Sequence, residues 1–247
     1  MSNSEIGFDA IYATDLVYVP DCWKLCGDAH CCNFGRYKSK FKLIARNASH
    51  ELPLLPGEYE FLKSKGWLDQ FGDHDHKVVR FEIDGSALKA ESIVSRKIGC
   101  VCNHDTRPTV CRLYPLLPTF DDEGFLTGTE PMTIFDEFEV IAGLQPACQI
   151  TNIPINDLNK FLLITRELAR YPNFLFYLRA YSITKRLASA KLSKMHAEDN
   201  RSIFSIFETA LIRNSIIDAD ELREMLSALA RKFTVLHGER FQLSKDG

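Results

Sequence analysis

Eight cysteines carry the chemical content of this 247-residue chain. Seven fall in two short windows. Cys22, Cys26, Cys31 and Cys32 make the first; Cys100, Cys102 and Cys111 make the second; Cys148 follows alone. A tetrahedral zinc site or an iron–sulfur cluster needs several thiolates brought together from separate loops. Closely spaced cysteines let one loop offer two ligands with little extra ordering entropy, and a second loop completes the shell. Gly27 permits a tight backbone turn between Cys26 and Cys31. Arg107 and Arg112 flank Cys111 and are expected to offset thiolate charge or donate hydrogen bonds to sulfur. Trp23, Phe34 and Tyr114 are the expected apolar wall around the site.

Two plainer readings compete. Buried, inert cysteines do not need to cluster this densely to pack. A disulfide framework suits small secreted domains better than a chain of this size. Cys31 and Cys32 are adjacent, so their side chains diverge. One is expected to face a metal while the other packs or joins a second site. Two four-ligand sites and one site with spare thiols both remain open, and thiolates suit zinc as well as iron.

The segment from Cys102 through Asn103-His104-Asp105-Thr106-Arg107-Pro108-Thr109-Val110-Cys111-Arg112-Leu113-Tyr114 to Pro115 resembles the second signature of the YkgJ-type cysteine-cluster family. That signature has a cysteine followed by Arg-Pro-x-x-Cys-Arg-x-Tyr/Phe-Pro. Cys22, Cys26, Cys31 and Cys32 resemble its first signature, which also ends in a Cys-Cys pair, and Cys148 resembles a further family cysteine. The resemblance covers roughly residues 20–150 and implies a zinc- or iron-chelating domain. The first window is more loosely spaced than the family form, Cys100 lies closer to Cys102, and His104 stands where an aromatic is usual. His104 thereby becomes a substitute ligand to consider.

Other polar groups have simpler expectations. Asp73-His74-Asp75-His76 reads as a solvated turn, His30 as a loop residue, and Asp121-Asp122-Glu123 as a turn before Gly124. Arg179, Lys185, Arg186, Lys191 and Lys194 read as the solvated face of one helix, where Lys185→Arg should change nothing. There is no phosphate-binding glycine loop, dinucleotide fingerprint, zinc-protease motif or nucleophile elbow.

These residues must be positioned by an α+β fold: a small cysteine-rich metal-binding α+β part over 1–150, then a helical C-terminal part over 151–247, the two sharing one core or not. Residues 6–20 suggest a strand, 54–62 a helix stopped near Gly66, and Lys77 to Ile83 a strand before an Asp84-Gly85 turn. Residues 116–133 suggest a hairpin or loop. Leu158, Phe161, Leu162 and Leu168 predict one helix and residues 173–195 a second. Ile203, Phe207 and Leu211 predict a third. Asp218 with Glu221 caps a fourth, whose face is Leu222, Met225, Leu226, Leu229 and Phe233.

Hydrophobic residues are 45% and charged residues 26%, as in chains that bury a core, and the formal net charge is −3. That balance argues against a general nucleic-acid partner. No signal sequence or long apolar run is evident, so the expectation is a cytoplasmic protein with no membrane partner, in a compartment that keeps thiols reduced. The expected function is metal binding through zinc, iron or an iron–sulfur cluster. The alternatives are a metalloenzyme modifying an amino-acid side chain or small metabolite in a methylase-like reaction, and a zinc-stabilised module that binds a protein partner. If metal ligation contributes to folding, Cys26→Ser and Cys111→Ser should each lower both metal content and melting temperature. A single change at Cys31 or Cys32 should lower them less. Equal melting and metal content across the set, measured by calorimetry and elemental analysis, would contradict this.

Overall fold

Phe8, Ile11 and Tyr12 recur at the spacing of one helix face, and all three are buried. In a strand, Phe8 and Ile11 would point to opposite sides. The computed structural model, which describes residues 3–18, 40–42, 50–97, 103–144 and 153–244, accordingly places them on helix α1 (Asn3–Tyr12). The strand expected over residues 6–20 is thus replaced by a helix, at least through Tyr12. Burial of the three-residue face outweighs the local content of β-branched and aromatic residues.

The larger sheet is antiparallel, with strand order β1-β3-β2: β1 (His50–Leu54), β2 (His74–Ile83) and β3 (Ser86–Ser95). β2 and β3 pair from Ile83↔Ser86 to His74↔Ser95. Asp84 and Gly85 join them, both at positive φ (50° and 77°), as a tight two-residue hairpin requires. Helix α2 (Glu58–Ser64) follows β1. It begins later than the sequence suggests because Leu54 is committed to pairing with Glu91. A 3₁₀ turn (Leu68–Phe71) leads into β2, and another (His104–Thr106) precedes the short helix α3 (Thr109–Leu113). The expected hairpin is β4 (Leu116–Phe120) with β5 (Leu126–Pro131). Helix α4 (Ile134–Ile141) starts from a capping box made by Thr133 and Asp136.

The remaining helices are α5 (Ile155–Ala169), α6 (Pro172–Glu198), α7 (Ile203–Ile212) and α8 (Ala219–His237). The protein is therefore α+β. Asp218 caps α8 by accepting from the Asp220 and Glu221 amides at 3.0 and 3.1 Å. Two residues read as inward-facing are not: Leu211 is 43% and Met225 40% exposed. A four-residue step turns about 40° around a helix, so the row Ile203, Phe207, Leu211 rotates away from the core. Met225 lies about 100° from Leu226 for the same reason.

Buried residues from α1, β1, α2, β3, α3, β4, α5, α6 and α8 form one continuous hydrophobic cluster. Cysteine-flanked segments and C-terminal helices thus pack into the same core. A second, aromatic-rich cluster joins Phe41, Phe138, Phe204 and Phe207. Among the described residues no helix is long and apolar enough to cross a membrane.

Of the basic residues of α6, Arg186 and Lys194 are exposed as expected, whereas Lys185 departs from the solvated face. Lys185 is 4% exposed. Its ammonium lies 3.2 Å from Glu137 and 3.6 Å from Glu130, and donates to the Pro131 carbonyl. Arg179 pairs with Asp122 at 2.8 Å and donates to the Phe120 carbonyl at 2.6 Å. Arg186 pairs with Glu130 at 3.4 Å. Acids on the β4–β5 hairpin and α4 hold Lys185 inside and Arg179 partly so, while Arg186 stays exposed. Removing one partner of a buried ion pair leaves the other uncompensated. Lys185→Ala should therefore cost about 3 kcal/mol in denaturant unfolding. Lys185→Arg, which must force a wider head into the same space, should cost about 1–2 kcal/mol. An unshifted unfolding midpoint for Lys185→Ala would refute this assignment.

Candidate metal centre

Helix α3 carries Cys111 and has only five residues, too few to hold itself together. It is pinned from outside. The Glu58 carboxylate accepts the Thr109 amide at 2.7 Å and the Thr109 hydroxyl at 2.6 Å, at the helix's positive end. The same carboxylate accepts Tyr12 Oη–H at 2.9 Å and the Leu55 amide at 2.9 Å. Burial raises the Glu58 carboxyl above the usual carboxylate range, even though these four hydrogen bonds oppose the shift. Burial and the Glu58 charge likewise push the Tyr12 phenol up.

Arg112 is 1% exposed. Its Nε donates to the Arg107 carbonyl at 3.0 Å, Nη1 to Thr14 O at 3.1 Å, and Nη2 to Asp105 O. The guanidinium sits 4.5 Å from the centre of the Tyr12 ring, a cation–π contact inside the core. Desolvation lowers its affinity for its proton, and the neighbouring Tyr12 and Glu58 partly restore it. Three carbonyls from two irregular stretches thereby find a partner in one side chain.

Arg107 is also buried. Nη1 donates to His104 Nδ1 at 3.1 Å and Nη2 to the Leu16 carbonyl. Because arginine can only donate, Nδ1 of His104 is an acceptor and the ring proton of the neutral imidazole sits on Nε2. Nδ1 of His104 is thereby engaged by Arg107. Gln70 fixes the adjoining turn: its Oε1 accepts the Asn103 amide at 2.8 Å and the Thr106 hydroxyl at 3.0 Å.

Cys111 is half-buried and packs against the main core. Tyr114, expected in the apolar wall, is also partly buried there and donates to Asp136 at 2.8 Å. Cys22, Cys26, Cys31, Cys32, Cys100, Cys102 and Cys148 lie outside the described residues, as do Trp23, His30 and Phe34. Among the described residues no group of three or more His, Cys, Asp or Glu side chains could hold a metal ion.

The chain ends leading to those cysteines do converge. Tyr18 precedes the first window, Asn103 follows Cys102, and Asp157 lies shortly after Cys148 in the chain. Arg107 bonds both Leu16 and His104, joining the first two ends. Burial raises the Tyr18 phenol, with the Asp157 carboxylate adding to the shift and Arg107 opposing it, which ties in the third. Tyr18 Oη and Arg107 Nε are both buried with no hydrogen-bond partner among the described residues.

The Asp73–His76 run is not a turn beyond its first residue, since His74, Asp75 and His76 open strand β2. Asp73 and Asp75 are neutralised by Arg96 at 3.1 and 2.5 Å. His76 stacks on Tyr59 with ring centres 3.6 Å apart and meets Glu91 at 3.0 Å. Strand alternation puts Asp75 on the face opposite both histidines, so the run does not converge on a cation. Sequence reasoning missed Glu58, Tyr12 and Tyr18. Glu58 follows Pro56-Gly57 and reads as an ordinary first-turn acid, and nothing local marks its burial. Comparisons with family models, with curated proteins and with solved structures found no match.

The Glu58 shift has a definite sign. Between the ordinary carboxylate pKa and the raised one, the folded protein holds a proton that the unfolded chain has released. Stability must fall as pH rises through that interval. Glu58→Gln should abolish this slope, and should cost about 1–3 kcal/mol below the interval because an amide N–H₂ then faces another donor. Unfolding midpoints measured across pH for both proteins test this; identical slopes would refute it.

Proposed function

We propose that this chain is a metal-binding protein of the YkgJ type whose cysteines hold zinc or iron, the iron singly or as an iron–sulfur cluster. One observation carries the reading. Described residues that flank the cysteine-bearing segments lie close to one another: Arg107 bonds both Leu16 and His104, and the Asp157 carboxylate acts on the Tyr18 phenol.

Cys22, Cys26, Cys31 or Cys32 would supply thiolates from the first window, together with Cys102 and Cys111 from the second. The remaining cysteines, Cys100 and Cys148 among them, would belong to a second four-ligand site or be spare. The donor set is chemically apt: thiolates are the ligands that zinc and iron–sulfur centres take. When bound, the metal supplies either a cross-link between these segments or a redox-active centre. Arg107 Nε–H and Tyr18 Oη–H are buried donors suited to anionic sulfur. Arg112 has a different part. Three of its donors are spent on carbonyls, so it shapes the loop that carries Cys111 and its charge offsets thiolate charge at a distance. Thiolates kept for a metal imply a reducing compartment, and cytoplasmic residence follows from that reading.

The decisive measurement is anaerobic purification followed by metal and acid-labile sulfide analysis, with an absorption spectrum. Bound zinc or iron with most thiols protected from titration is expected. Absence of both metals, with every thiol freely titratable, would overturn the proposal.

A further inference from the structure

We propose that a half-open cavity beside β3 binds a free amino acid with an apolar side chain. Glu91 takes its ammonium, Lys89 and Asn173 take its carboxylate, and three phenylalanines take its side chain. The cavity measures about 310 Å³ and lies between β3, α6 and the segment that follows α8. Small-molecule sites span about 300–1,000 Å³, so this one has room for a single small metabolite rather than a nucleotide or a peptide. It shares no lining residue with the candidate metal centre and does not depend on that reading.

Strand alternation puts Lys89 and Glu91 on one face of β3, and both line the cavity. A cation and an anion thus stand two residues apart, about 7 Å along the strand. The Glu91 carboxylate is held not by Lys89 but by His76 Nε2 at 3.0 Å and by the Gly57 amide, which it accepts at 3.5 Å. Those contacts take two of the about four lone-pair sites of a carboxylate and leave capacity for an ammonium. Asn173 of α6 lines the same cavity. Its Oδ1 accepts the Gln242 amide at 3.2 Å, which sets the orientation of the side chain and leaves Nδ2 to donate. Lys89, on its flexible stem, and Asn173 can therefore meet a carboxylate while Glu91 meets an ammonium. An amino acid carries both groups on one carbon and satisfies both parts of the site.

The remaining wall is apolar and already in place. Phe174 and Phe176 are each 1% exposed and Phe241 is 6% exposed. The Phe176 and Phe241 ring centres lie 4.9 Å apart, and Phe174 packs on Phe8 at 5.0 Å. Phe241 belongs to the segment after α8, which is tied to β3 where Ser244 exchanges both backbone hydrogen bonds with Ala87, at 2.8 and 3.2 Å. A ligand that docks on walls held this way has little ordering cost to meet. An apolar side chain gains by leaving water against the rings, whereas a charged one would lose its hydration there. The charged groups thus select the common part of an amino acid, and the rings select its side chain.

The test is equilibrium dialysis of the full chain against L-phenylalanine, against phenethylamine, which lacks the carboxylate, and against hydrocinnamate, which lacks the ammonium. L-Phenylalanine should bind about tenfold or more tighter than either analogue. Glu91→Gln should weaken L-phenylalanine about tenfold and remove its advantage over hydrocinnamate. Lys89→Met should weaken it by a similar factor and remove its advantage over phenethylamine. Far-UV circular dichroism matching the parent establishes that each variant is folded, and Lys89→Met carries the test alone if Glu91→Gln does not fold. Absence of L-phenylalanine binding at about 10 mM, enough to fill a millimolar site, overturns the proposal. So does binding of either analogue as tightly as the amino acid, or a folded variant that binds L-phenylalanine as the parent does.

Discussion

The burial of the Glu58 carboxylate is the constraint on which this end of the molecule depends. A carboxylate is acceptor-only, with about four lone-pair sites. Here four donors from three separate stretches meet it: Tyr12 from α1, Leu55 from the turn after β1, and both donors of Thr109 at the start of α3. None of those stretches pairs with the others in a ladder along these contacts. A charge taken wholly out of water must be matched. The match comes through the Tyr12 ring, whose phenol donates to Glu58 and whose face carries Arg112. Carboxylate, phenol and guanidinium thus form a short buried chain from α2 to the residue beside Cys111.

The two arginines of the Arg-Pro-x-x-Cys-Arg segment divide the remaining work. Residues 13–18 and 103–108 are mostly irregular backbone, outside the α-helices and the sheets. Arg112 satisfies carbonyls in both stretches, and the fork geometry of a guanidinium lets one side chain do so in several directions. A lysine ammonium in its place would present a single compact head and leave some of these carbonyls without a partner. Arg107 is spent less completely: two of its nitrogens tie Leu16 and His104 together, and Nε remains. Two residues that look equivalent in the sequence therefore differ in what they still have to give.

What was legible in the sequence was what local spacing controls. Helices α5 to α8 followed from apolar periodicity, the Asp84-Gly85 hairpin from turn chemistry, and the Asp218 cap from residue type. The positions of Arg107 and Arg112 around Cys111 were visible because the motif is contiguous. What failed was decided by distant partners. Tyr12 and Thr109 reach Glu58 across 46 and 51 residues. Lys185 meets acids more than 45 residues before it in the chain, and nothing in its own helix distinguishes it from an exposed lysine. α1 read as a strand because Ile, Val and Tyr favour extended backbone locally. The packing of Phe8, Ile11 and Tyr12 against α2 and α5 reverses that preference.

This arrangement bears on how a metal would couple to folding. In a small zinc module the core scarcely exists without the ion, so binding free energy and folding free energy are one quantity. Here the main hydrophobic cluster draws on helices and strands from both halves of the chain, and Cys111 only adjoins it. Helix α3 is already held by Glu58 at its start and by Arg112 near its end. The Cys111 sulfur consequently stands on a frame that owes its position to apolar burial and buried hydrogen bonds. Ligation there would draw little free energy into ordering α3 and would leave most of it as affinity. Under the proposed metal-binding reading, a preorganised Cys111 would also shorten the search for other ligands, because Arg107 ties Leu16, before Cys22, to His104, after Cys102. The buried polar chain from Glu58 to Arg112 is thus costly as a contribution to stability alone, and its return lies in the fixed placement of the residue between the two arginines.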